Sequence, residues 1–301
     1  MSSLAQYLAG SIVLSFVLWP GSPVCAAITA VDDAGQQITL VQPAQRIVSL
    51  APNITELVFA AGAGDRLVGV SEYSDYPEAA RSIRRIGGGN GLDLEAIVAL
   101  APDLVIAWQS GNPSRPVARL QELGLTVFIT EPRHLQDIPD SLRRFGRLAG
   151  TGAVAARQIS EFERRYDELH RQYSGQEPVS VFYQVWDRPL MTVNGEHLIS
   201  DVIRLCGGRN VFAGLSALAP QVTTEAVLAA NPEVIVAGGD GKPAAAGLAE
   251  WQRWPDLSAV AHGYLFVIPR ELLVRPTPRI LQGAEQLCAL LDEVRIDKSG
   301  Q

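Results

Sequence analysis

One stretch of this chain is written twice. Asp93 opens a short helical run with Glu95 in its first turn, followed by Pro102, the acidic Asp103 and the apolar strand Leu104 to Ala107. The same order returns with Thr223, Glu225, Pro232, Glu233 and Val234 to Ala237. Each copy reads as a polar cap, a helix, a proline and a buried strand. A looser echo pairs Ile54 to Gly64 with Leu198 to Gly208. Two copies of one unit predict two lobes built alike, with a cleft between them of the kind that holds ligands. A length of 301 residues leaves room for both.

The segments around each copy alternate strand and helix. Arg46 to Leu50, Leu67 to Val70, Leu104 to Trp108 and Thr126 to Ile129 read as strands. Between them lie helical runs at Ile54 to Ala61, from the Asp93 cap to Leu100, and at Pro116 to Leu123. That alternation predicts an α/β lobe with a largely parallel sheet. From Thr151 to Ser174 the pattern changes: Ile159, Phe162, Tyr166, Leu169 and Tyr173 form a single apolar stripe at helical spacing. A helix of that length spans about 36 Å. Strand patterning resumes at Val179 to Val185, so the helix is expected as a stiff connector. The expected division is an N-terminal lobe over 46–150, a connecting helix over 151–174 and a C-terminal lobe over 178–298.

Residues 1–27 read as an address. Leu8 to Trp19 is uncharged and mostly apolar, and Val24-Cys25-Ala26-Ala27 suits cleavage by a signal peptidase. About 12 apolar residues fall short of a membrane span. Cleavage there implies export and leaves Cys206 and Cys288 as an even pair, read either as one disulfide or as two buried thiols. With 47% hydrophobic and 19% charged residues, the chain is too apolar for disorder and too charged for a polytopic membrane protein. A net charge of −7 argues against nucleic acid as a partner.

A catalytic constellation is missing from the sequence. His134, His170, His197 and His262 lack metal-ligand spacing, and His170 lies on the connector as a solvated residue. Gly87 to Gly91 lacks the lysine of a phosphate loop and reads as a flexible loop before the Asp93 helix. There is no Gly-x-Ser-x-Gly elbow. No nucleophile, base and orienting group come together, so an enzyme is the weaker class, with no catalytic residue and no metal ligand set expected. Aromatic residues instead gather after strands: Tyr73 and Tyr76 after Val70, Trp108 at the end of Leu104 to Trp108, and Trp186 after Val185. In open α/β sheets those strand ends line the ligand crevice, and aromatics there suit a large, flat, partly apolar ligand. Glu95 and Glu225 hold matching places in the two copies. They read either as first-turn carboxylates complementing the helix dipole or as a symmetric pair that meets a basic partner.

In their order, Ile47 to Leu57, Ser71 to Pro77, Leu94 to Trp108, Pro220 to Pro232 and Pro278-Arg279-Ile280 resemble the vitamin B12-binding subunits of ABC importers. These belong to the periplasmic binding proteins with a single backbone helix. The likeness runs from Arg46 to Asp292. It implies two α/β lobes bridged by one rigid helix, with little hinge motion. It implies that Tyr73 and Trp108 wall a cleft for cobalamin or a related corrinoid, with Arg275 on the ligand's polar amide edge; Trp186 is read as joining the wall from a neighbouring position. Cobalamin is then cargo, not a cofactor. It implies further that Glu95 and Glu225 dock on an ABC permease with its ATPase, that Cys206 pairs with Cys288, and that the chain works as a monomer. Two tryptophans of the family pattern are absent, with Gly88-Gly89-Asn90 and Ala219 in their places. The alternatives are haem, with Tyr73 or Tyr76 as axial ligand, an iron siderophore, or, in another class, an exported hydrolase acting on a large cofactor.

Overall fold

The structure is a computed structural model that describes residues 27–88, 91–239 and 241–300. The expected signal segment up to Ala26, with Cys25, lies outside the described residues, as do Gly89 and Asn90. A hairpin of β1 (Ile28–Val31) and β2 (Gln37–Leu40) comes first. The first lobe continues with β3 (Ile47–Ser49), α1 (Pro52–Ala60), β4 (Leu67–Val70), β5 (Gly87–Gly88), β6 (Gly91–Leu92), α2 (Leu94–Ala99), β7 (Leu104–Trp108), α3 (Ser114–Glu122), β8 (Val127–Thr130) and α4 (Asp137–Ala149). Then α5 runs over Gly152–Tyr173. The second lobe follows with β9 (Val179–Gln184), β10 (Trp186–Asp187), β11 (Leu190–Met191), α6 (Leu198–Leu205), β12 (Gly208–Asn210), α7 (Thr224–Ala230), β13 (Val234–Gly238), α8 (Gly241–Ala249), α9 (Ser258–Ala261), β14 (Leu265–Ile268), α10 (Glu271–Val274) and α11 (Ile280–Ser299).

Two four-stranded parallel sheets carry the lobes, in the orders β4-β3-β7-β8 and β12-β9-β13-β14. These orders are the same arrangement used twice. Leu104, Val105, Ile106 and Ala107 are buried, as are Val234 to Ala237, because helices cover both faces of a parallel sheet. The repeat is also kept in polar detail. Asp103 Oδ2 accepts from the backbone N–H groups of Gln45 and Arg46 at 2.7 and 2.9 Å, clasping the chain as it enters β3. Glu233 Oε2 does the same at β9, accepting from the Ser180 N–H and hydroxyl at 2.6 and 2.8 Å.

The connector α5 buries Ala155, Ile159, Phe162, Leu169 and Tyr173, the expected stripe with Tyr166 left half-buried. It packs on α4 and α1 of the first lobe and on α6 and α11 of the second. His170 is exposed beside the Tyr166 ring, 6.1 Å away. Cys206 and Cys288 form a disulfide between the end of α6 and α11, with a Cα–Cα distance of 4.5 Å.

Two features depart from the sequence reading. The helix α4 was not anticipated, although Ile138, Leu142, Phe145 and Leu148 bury one face of it. The glycine-rich segment contributes two short antiparallel strands: Gly87 faces Leu92 and Gly88 faces Gly91. Glycine is required at its start, since Gly87 has a φ of +85° and an added Cβ would lie 2.2 Å from the Gly91 carbonyl oxygen.

Candidate functional site

On the first lobe, the segment after β4 displays Tyr73 and Tyr76. Its base is a buried chain of hydroxyls: Ser49 Oγ and Thr55 Oγ1 lie 2.9 Å apart, Thr55 donates to Ser74 at 3.0 Å, and Ser71 and Ser74 lie 3.1 Å apart. Arg85 donates to the Ser74 carbonyl at 2.8 Å. On that base Tyr73 adopts a φ of 63°, a conformation that an ordinary side chain disfavours. Tyr73 is 78% exposed, and Tyr76 is 44% exposed. Trp108 differs. It is half-buried at the end of β7, with the Gly111 backbone so close that an added Cβ would lie 2.0 Å from the indole. Its Nε1 is buried without a hydrogen-bond partner among the described residues.

On the second lobe, Trp186 follows β9, is 47% exposed, and donates from Nε1 to the Arg188 carbonyl at 3.1 Å. The guanidinium of Arg270, at the end of β14, lies 5.2 Å from the Trp186 ring centroid. One turn of helix, α10, then leads to Arg275.

Arg275 reaches across to the first lobe. Its Nη1 donates to Glu56 Oε1 at 2.7 Å and to Asp75 Oδ1 at 3.3 Å, and its Nη2 donates to the Tyr73 carbonyl at 3.3 Å. Burial alone would lower the pKa of its guanidinium, but hydrogen bonds and charge from Glu56 and then Asp75 outweigh it and raise the value. Glu56 is buried on α1 and also accepts from Thr277 at 3.0 Å and from Arg279 at 3.3 Å. Arg279 lies over the Tyr76 ring, 3.9 Å from its centroid. The sequence reading placed Arg275 on the ligand and passed over Glu56, Thr277 and Arg279. A signal was present: Glu56 is the only charged residue in the run Ile54 to Ala61.

Glu95 and Glu225 are both exposed, each in the first turn of its helix. Asp93 caps α2 by accepting from the Ala96 N–H at 2.8 Å, and Thr223 caps α7 by accepting from the Ala226 N–H at 3.2 Å. The Glu225 carboxyl is held below its usual range by its own backbone N–H and the Thr223 hydroxyl. A second link between the lobes lies beside α5: Asp201 on α6 accepts from the His134 ring and the Leu135 N–H, at 2.9 and 3.3 Å. Among the described residues no group of three or more His, Cys, Asp or Glu is placed to hold a metal ion. No described helix is long and apolar enough to cross a membrane.

The sequence profile described as "Periplasmic binding protein" matches residues 47–272. The chain belongs to the periplasmic binding protein family. Within that family, it is 39% identical over 250 residues to the vitamin B12-binding protein of Vibrio cholerae serotype O1, covering 83% of this chain and 90% of the relative. The crystal structure of the periplasmic vitamin B12-binding protein BtuF of Vibrio cholerae superposes with a TM-score of 0.78, covering 84% of this chain and 98% of that one at 39% identity. The periplasmic heme-binding protein RhuT from Roseiflexus sp. RS-1 matches with a TM-score of 0.74 at 24% identity, covering 83% of this chain and 99% of that one, a likeness of fold alone. The two-lobed α/β architecture with one connecting helix is that of this family of periplasmic binding proteins.

Proposed function

We propose that this chain captures cobalamin or a related corrinoid in the periplasm and delivers it to an ABC permease with its ATPase. It is exported by a cleaved signal over 1–27, divided into lobes 46–150 and 178–298 around the connector 151–174, works as a monomer and catalyses nothing. The observation that carries the reading is a pair of exposed aromatic residues, Tyr73 and Trp186, one on each lobe at the carboxyl ends of parallel strands. A single helical turn separates Arg270, which lies on Trp186, from Arg275, which holds the Tyr73 carbonyl. Two aromatic faces across such a gap suit a macrocycle that is apolar on its faces and polar at its rim. Trp108 adds an edge to the first wall, and Arg275 meets the polar amide edge of the ligand. The 39% identity to a vitamin B12-binding protein supports cobalamin over haem, whose binders are similar in fold only.

Calorimetric titration of the purified protein with cyanocobalamin, and separately with hemin, tests the reading. One-to-one binding of cyanocobalamin, released intact, is expected. Binding of hemin with a tyrosinate-type visible spectrum and no heat from cyanocobalamin would replace cobalamin by haem. Loss of the ligand's structure over many turnovers would make the chain an enzyme.

A further inference from the structure

Glu56 is a carboxylate in the interior of α1, among Ile54, Leu57 and Val58, and only 4% exposed. Among the described residues, every hydrogen bond its carboxylate accepts comes from the other lobe: Arg275 and Arg279 on Oε1, Thr277 on Oε2. A buried carboxylate is tolerated only where charge and hydrogen bonds satisfy it, so this one needs the second lobe in place. The same two arginines then act on the cleft. Arg275 passes the constraint to the Tyr73 carbonyl and to Asp75, and Arg279 passes it to the ring of Tyr76. A left-handed backbone at Tyr73 persists only where its surroundings hold it.

We propose that Glu56 is the positioning residue of the cleft: through Arg275 and Arg279 it sets where Tyr73 and Tyr76 stand and how the second lobe faces the first. Glu56 touches no ligand in this role. The part of the proposal that concerns ligand rests on the reading of the cleft as a corrinoid site, whereas the part that concerns the two lobes does not.

Hydrogen exchange read by mass spectrometry on the ligand-free full chain separates the two. In Glu56→Gln, the amides of 71–80 on one lobe and 274–280 on the other are expected to exchange at least tenfold faster, while those of β7 and β13 keep their wild-type rates. Cyanocobalamin should then bind at least tenfold more weakly. Unchanged exchange in both segments, or an equal increase across the chain, would overturn the proposal, since the first removes the coupling and the second makes Glu56 a general stability residue. If Glu56→Gln does not fold, Thr277→Val removes one bond to the same carboxylate, and the same two segments should loosen by a smaller factor. Unchanged or uniformly faster exchange there would likewise overturn it. If wild-type protein takes up no cyanocobalamin, the corrinoid reading fails while the exchange arm still decides the role of Glu56.

Discussion

Tyr73 and Trp108 are both aromatic residues at strand ends, yet their surroundings separate what each should do. Tyr73 is 78% exposed, so Tyr73→Ala should leave the melting temperature nearly unchanged, within about 0.5 kcal/mol, and weaken cyanocobalamin about tenfold or more. Trp108 lies flush against Gly111 and packs on the lobe's core, so Trp108→Ala should cost about 3 kcal/mol of stability in urea. His197 gives a pH dependence. Its Nδ1 accepts from the Ile199 N–H at 3.1 Å, capping α6. Burial pulls its pKa down to about 4 against the opposing charge of Asp201. The unfolded chain therefore takes up the proton first as pH falls. The contribution is complete above about pH 6.5 and is lost towards pH 4, by up to about 3 kcal/mol. Urea midpoints from pH 4 to 7 should fall more steeply for wild type than for His197→Asn, which keeps a capping acceptor that does not titrate. At this scale the positions of Tyr73 and Trp186 after strands were legible, because the end of a strand is visible in the alternation. The contact of Arg275 with Glu56 was not legible, because the two lie 219 residues apart and no local pattern joins them.

Among the elements, α2 and α7 form the tightest pair. Capping side chain, first-turn glutamate and the acidic residue after proline recur in sequence, and the caps were readable because each serves a contact made three residues on. Asp93→Ala should cost about 1 kcal/mol through the lost cap, measurable by thermal unfolding. Glu95→Arg combined with Glu225→Arg should leave fold and ligand affinity intact. It should abolish binding to the permease, an attraction that in the wild type weakens as added salt shortens the screening length. Intact transport by the double variant would remove the docking role. The pairing of β5 with β6 is not visible in the sequence, because glycines carry no periodic signal and the two strands meet through backbone. The helix α4 had the spacing to be seen, but Pro139 in its first turn reads as a breaker although that position tolerates proline.

Among the described residues, the two copies of the sheet are joined by the connector α5, by the contact of Asp201 with His134 and Leu135, and by the cluster around Glu56. The disulfide lies entirely in the second lobe, where it closes a span of 82 residues. By loop-closure entropy it contributes about 4.5 kcal/mol, so Cys206→Ser with Cys288→Ser should lower the urea midpoint markedly. Its position matters beyond that figure. Cys206 ends α6, the helix that carries Asp201, and Cys288 sits in α11, whose first turn follows Thr277 and Arg279. One covalent bond thus braces both elements with which the second lobe grips the first. The stiffness of the cleft is set in part by a bond that lies outside it: reducing that bond should loosen the grip of the second lobe on the first as well as lower the stability of its own lobe.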